Sequence, residues 1–211
     1  MLPIHQKSNG MRTFKADLIG ATNSVLSNAG LAPVSSLSNE NPMVAMATNL
    51  LLETSRNIQV EGFAFNTEHH YPLTPDVHGE IVVPDNVLSL DIYDLQTLKE
   101  DPVLRGNRLY DRYNHTFVFT HPLEGDVVWC FDFVDCPEAF KSYVTIRAAN
   151  LFAGRAVGSV EAVKFGEREE LLARAAFLNY DAQQGDYNFL GDRTGRRLVE
   201  SFRPYSVIMR R

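Results

Sequence analysis

Imidazole and carboxylate side chains crowd the stretch from Glu68 to Glu80, where His69, His70 and His78 stand among Glu68, Asp76 and Glu80. Such groups can bind zinc or a related transition metal when they converge across a turn. On a strand, however, the adjacent His69 and His70 point to opposite faces, so no metal ligand is assigned. The carboxylate pairs Asp91 with Asp94 and Asp132 with Asp135 offer the chemistry of glycoside hydrolysis, which needs two acids held about 5–10 Å apart in a cleft. An acidic chain supplies such pairs by chance, so a polysaccharide-degrading enzyme using such a carboxylate pair is kept only as the alternative reading. Cys136, beside a helix start, could have its pKa lowered by the helix dipole. No histidine is placed by the sequence to make it a nucleophile, and its expected role is a cap or the core. The G-x-S-x-G elbow, the Walker lysine loop, G-x-G-x-x-G and H-E-x-x-H are all missing. The expectation is therefore a protein that is not an enzyme, with no catalytic, cofactor-binding or metal-binding residue.

The remaining chemistry is that of contact. Phe63, Phe65, Tyr71, Trp129, Phe131 and Phe133 lack interleaved Lys or Arg and read as core, since base stacking without cations loses the electrostatic part of nucleic-acid binding. The C-terminal stretch differs. From Asp192 to Arg211 six arginines stand against two acids, a net charge of +4, whereas the 191 residues before it carry −10 of the total −6. Exposed aromatics beside arginines are favoured at protein interfaces. Arg193, Arg196, Arg197 and Arg203, with Tyr187 and Phe189, are the candidate partner-binding residues, facing an acidic surface.

The elements that position these groups follow from periodicity. Phe14, Leu18, Ala21, Val25 and Ala29 recur at helical spacing, with Thr13 as a possible N-cap and Gly30 and Pro33 as stop signals. Asn41-Pro42 starts a second helix with Met43, Ala47, Leu50, Leu51 and Ile58 on one face, ended by Gly62. Short β-rich runs then predict strands at 63–66, 80–83, 87–93, 109–111, 116–120 and 127–133, with Cys130 in the last. Pro137-Glu138 opens a third helix carrying Phe140, Val144, Ala148 and Leu151 as far as Arg155. Ser159 can cap a fourth, whose face holds Val160, Val163, Leu171, Ala175 and Leu178 and which stops near Gly185. The fold class is α+β: residues 13–62 and 136–185 form an antiparallel helical bundle, 63–135 a β-rich domain inserted in it, and 186–211 an extended C-terminal arm.

At 211 residues the chain can bury a sufficient core without staples. Its 45% hydrophobic and 22% charged composition is that of an ordinary globular protein. No apolar run approaches the roughly 20 residues of a membrane span, and no membrane partner is expected. The N-terminus lacks a secretory pattern, so synthesis in the cytoplasm is expected. Cys130 and Cys136 lack C-x-x-C spacing and read as free thiols.

Several segments, in order, resemble the tail tubular protein A family, the adaptor or gatekeeper of short-tailed, T7-like bacteriophages. They are residues 21–30 (ATNSVLSNAG), 33–37 (PVSSL), 62–68 (GFAFNTE), 73–77, 84–90 (PDNVLSL), 109–112 (LYDR), 136–140 (CPEAF), 179–181 (NYD) and 185–192 (GDYNFLGD). The resemblance implies a virion tail protein forming a dodecameric ring. That ring sits between the portal protein and the nozzle made by tail tubular protein B, with tail fibres attached nearby and phage DNA passing through without sequence recognition.

Overall fold

The computed structural model describes residues 16–38, 41–93, 100–156 and 160–185. These form a mixed α+β fold of helices α1 (Leu18–Asn28), α2 (Pro42–Gln59), α3 (Glu138–Ala156) and α4 (Val160–Gly185). The strands are β1 (Thr67–Leu73), β2 (Val87–Ile92), β3 (Pro102–Arg105), β4 (Arg108–Asp111) and β5 (Leu123–Trp129). Among the described residues no helix is long and apolar enough to cross a membrane. The chain divides into two compact units, one of Met1–Thr54 with Phe133–Ala173 and one of Ser55–Asp132 with Arg174–Arg211, each taken over its described residues.

In the first, helical unit, α1 starts later than its periodicity suggests. Its cap is Asp17, whose Oδ1 accepts the Gly20 N–H at 2.7 Å, and Thr13 lies outside the described residues. The helix ends as the sequence predicts: Gly30 takes φ +73°, and Leu31 N–H reaches back to the Leu26 carbonyl, closing a left-handed cap that a Cβ would strain. Asn23 then fastens the returning chain, donating to the Val34 carbonyl at 2.9 Å and accepting the Val34 N–H at 2.8 Å. At α2, Asn41 Oδ1 accepts the Met43 N–H, and Pro42 occupies the first helical position. Val44, Ala47, Leu50 and Leu51 are buried, but Met43 is exposed, one position off the stripe that Val44 continues.

α1 packs against α3, whose Phe140, Tyr143, Val144, Ala148 and Phe152 are buried, while Leu151 turns outward. A charged tie holds the two helix starts together. Lys141, 1% exposed, places Nζ 2.5 Å from Glu138 Oε1 and donates to the carbonyls of Ala16 at 3.1 Å and Val134 at 3.4 Å. Glu138 Oε2 in turn accepts the Ala16 N–H. Further along, Arg147 pairs with Glu170 at 2.7 Å, and Asn150 donates to the Gly166 carbonyl at 2.9 Å, an approach so close that a Cβ on Gly166 would collide with the Asn150 side chain. The predicted apolar face of α4 is displaced: Leu171, Ala175 and Leu178 are exposed, and among its described side chains Phe177 and Asp181 are buried. The reason is that Gly166, Glu170, Phe177 and Asp181 keep the helical spacing of a stripe whose members bond by polar groups as well as by apolar ones.

The second unit is β-rich. β5 is central to a three-stranded antiparallel sheet in the order β1-β5-β2, and β3 pairs with β4 as a separate hairpin turning at Gly106 (φ +63°) and Asn107. Leu73 and Leu123 from the first sheet meet Ile81, Val83, Leu109 and Phe119 from the hairpin side in one core. Several boundaries differ from the sequence reading. Residues 63–66 make a turn rather than a strand, closed by Asn66 N–H on the Phe63 carbonyl, and β1 begins at Thr67. The 80–83 and 116–120 segments contribute isolated bridges only, and β3 was not anticipated. β5 stops before Cys130, and Phe133 belongs to a short 3₁₀ turn.

Replacing Lys141 by Met strands the Ala16 and Val134 carbonyls and leaves Glu138 without its cation. Urea unfolding should show a loss of about 1–3 kcal/mol. Glu138→Gln, which keeps an acceptor for Ala16, should cost less.

Candidate functional site

In the β-rich unit two buried amides hold helix end, turn and sheet together. Asn66 Nδ2 donates to the Gln59 carbonyl at 3.0 Å and the Trp129 carbonyl at 2.8 Å, while its Oδ1 accepts the Phe63 N–H at 2.8 Å. Gln59 grips Phe131 from both sides, accepting its N–H at 2.8 Å and donating to its carbonyl at 3.0 Å. Asp181 on α4 accepts the Ala64 N–H at 2.8 Å, and the Phe177 ring meets Phe63 edge-on at 4.7 Å, beside Phe65. Residues 62–68 and 179–181, which the sequence offers as separate motifs, are thus one assembly. Gln59 was missed. Its signal is a polar residue on the buried stripe of α2, next to Ile58.

Both sheets send apolar residues into a shared core, Leu73 and Leu123 from one and Leu109 from the other, so the opposite side of each sheet looks away from that core. On β5, Leu123, Gly125 and Val127 are buried, and Glu124 and Asp126 face out. Asp91 of β2 stands directly opposite Asp126. β1 contributes the two histidines, and here the expectation of opposite faces fails. The pairing of β1 with β5 shifts register between Glu68 and Tyr71, and His70 takes φ +56°. This bulge gives His69 to Asp126 at 2.9 Å and sets His70 3.5 Å from Glu124, two acids on the same side of β5. The Tyr93 hydroxyl also bonds Asp126, and its ring lies 4.9 Å from that of His70. His78 is elsewhere, its backbone N–H held by Asp76 in a turn. Among the described residues no group of three His, Cys, Asp or Glu side chains is placed to hold a metal ion.

The hairpin's outer face is basic and aromatic. The Arg105 guanidinium lies 3.7 Å over the Tyr110 ring, and Arg108 lies 4.7 Å from the Phe117 ring centre while making two bonds to Glu80 at 2.7 and 2.9 Å. Tyr110 and Phe117 meet edge to face at 4.8 Å. Val82, which bridges to Arg108, and Val118, which bridges to Glu80, are about half exposed. Arg, Tyr and Phe with a desolvating apolar fringe are the composition of interface centres.

Two buried carboxylates in this unit are shifted in opposite directions although burial raises both. For Asp181 burial raises the pKa, and the single Ala64 donor does not cancel it. For Asp111 burial also pushes upward, but donors from Asp101, Asn114 and Tyr113 outweigh it and hold the group below its ordinary value. The Cys130 thiol is raised by burial, against the pull of Arg56. Asp94 and the candidate partner residues Tyr187, Phe189, Arg193, Arg196, Arg197 and Arg203 lie outside the described residues.

What the geometry defines is a protein of surfaces braced by a rigid polar and aromatic interior. The family model for tail tubular protein matches residues 19–187. The chain belongs to the tail tubular protein family, structural components of bacteriophage tails, and its place is the virion tail. No curated protein matches it.

Asn66→Ala removes the amide's bonds to the Gln59 and Trp129 carbonyls and to the Phe63 N–H, leaving the Gln59 carbonyl only the Gly62 N–H among the bonds described. Chemical denaturation should show a loss of about 3 kcal/mol or more. Because the native Asp181 pKa exceeds its ordinary 3.8, its stabilising contribution is complete below that pH and is lost as pH rises through the raised value. Asp181→Asn keeps an acceptor for Ala64 without the buried charge. At neutral pH it should melt at or above wild type and show a flatter pH dependence of Tm, while Asp181→Ala melts lower.

Proposed function

We propose that this chain is the tail adaptor, or gatekeeper: a dodecameric ring joining the portal to the nozzle and fibres and lining part of the DNA ejection channel. The observation that carries this reading is the family match over residues 19–187. The ordered run of tail tubular protein A segments, from residues 21–30 through 185–192, narrows it to the adaptor. A ring repeats each modest contact at every subunit, so the interfaces sum to a stable collar. The charge distribution suits that place. An acidic body repels the DNA backbone and lets it slide, while the arginines from Arg193 to Arg211 dock on an acidic groove of the portal through charge-assisted pairs.

Negative-stain imaging of the protein mixed with its portal rings should show a stacked collar coaxial with the portal; rings that stay bare refute the adaptor role. A chain truncated at Gly191 should co-sediment with portal about tenfold more weakly, the equivalent of a few lost arginine contacts. Unchanged binding rejects the docking arm.

A further inference from the structure

Each outer face of the β-rich unit carries a like-charged pair directly across its strands. On the three-stranded sheet Asp91 of β2 opposes Asp126 of β5, with Glu124 beside it. On the hairpin Arg105 of β3 opposes Arg108 of β4. Like charges in directly opposite cross-strand positions are destabilising; within the chain one member of each pair has a partner, Asp126 in His69 and the Tyr93 hydroxyl and Arg108 in Glu80, and Asp91 and Arg105 stand exposed beside them. Such conflicts mark places selected for something other than stability of the isolated chain. The two are opposite in sign and lie on different sheets, each on the side turned away from the shared core.

We propose that these faces are the two halves of a single head-to-tail contact between copies of this chain. The Arg105–Tyr110 face of one copy seats on the face of Asp91, Glu124 and Asp126 of the next. The inference rests on the ring reading above and assigns the contact that closes it. Each half is relieved by the other: the neighbour's carboxylates offset the Arg105–Arg108 repulsion, and Arg105 offsets the Asp91–Asp126 repulsion. Arg108 is already balanced by its bidentate bond to Glu80, so Arg105, laid over a neutral ring, supplies the net charge. Its position over Tyr110 also orders the guanidinium before contact, which lowers the entropy lost on binding. Half-exposed Val82 and Val118 flank this face and exclude water from the ion pairs. Because the complementary halves are different surfaces of one chain, the contact is heterologous and propagates from copy to copy until it closes.

The test uses the full-length chain, with assembly read by sedimentation velocity alone and on portal rings. Arg105→Glu and the double reversal Asp91→Lys with Glu124→Lys should each lose the assembled species. Mixed in equal amounts, the two should recover it, because an alternating ring pairs Glu with Lys at one junction and Arg with the native acids at the next. Reversed chains that assemble like wild type, or a mixture that fails to recover while both components melt normally, overturn the proposal and leave the adaptor reading standing. A wild-type chain that stays monomeric alone and on portal rings overturns both. Should a reversal melt early, Arg105→Gln and Asp91→Asn, which keep the strand pairing, carry the test. Each should shift half-assembly to severalfold higher concentration, and no shift in either overturns the contact.

Discussion

Where α2 ends and β1 begins, the chain must leave one hydrogen-bond ladder before it joins another, and in between Phe63 and Asn66 are buried. The Asn66 side chain resolves this by acting as a piece of backbone: two N–H donors and one carbonyl meet the Gln59 and Trp129 carbonyls and the Phe63 N–H. A buried peptide group without a partner costs more than an ordinary hydrogen bond returns, so the turn, the start of the β1–β5 pairing and the end of α2 stand or fall together. Gln59 extends the same device past the end of β5, to Phe131. The stacked and edge-on rings of Phe63, Phe65 and Phe177 complete it, bringing the second half of α4 onto the turn.

With that interior fixed, the sheets are free to carry unfavourable charges on their outer sides. The bulge in β1 is the clearest case. A regular strand would have sent one of His69 and His70 into the core side; the extra residue, at positive φ, puts both over acids of β5. Tyr93 closes the network on Asp126. On the hairpin, cation–π stacking and the Glu80 bond let two arginines sit side by side.

How much of this was legible depends on the range of the interaction. The α+β class, the proline-led starts of α2 and α3 and the end of α1 at Gly30 follow from signals a few residues apart. The turn at 63–66, the early stop of β5 and the displaced face of α4 do not, because each is set by a partner far along the chain: Asn66 by Trp129, Gln59 by Phe131, Glu170 by Arg147, Asp181 by Ala64. A helix face that binds through Glu170 and Asp181 has no apolar periodicity to read, so Leu171 and Leu178 looked like core when they are surface.

The sequence by itself determined the family, through short segments in a fixed order, and the local punctuation of the helices, since caps, prolines and glycines act on their immediate neighbours. The tertiary structure alone decided which separate segments form one hub and which side of each strand meets solvent. Register is the physical reason: side-chain direction in a sheet alternates with every residue, so a single bulge, invisible to any local pattern, moved His70 from the predicted side to the side of Glu124.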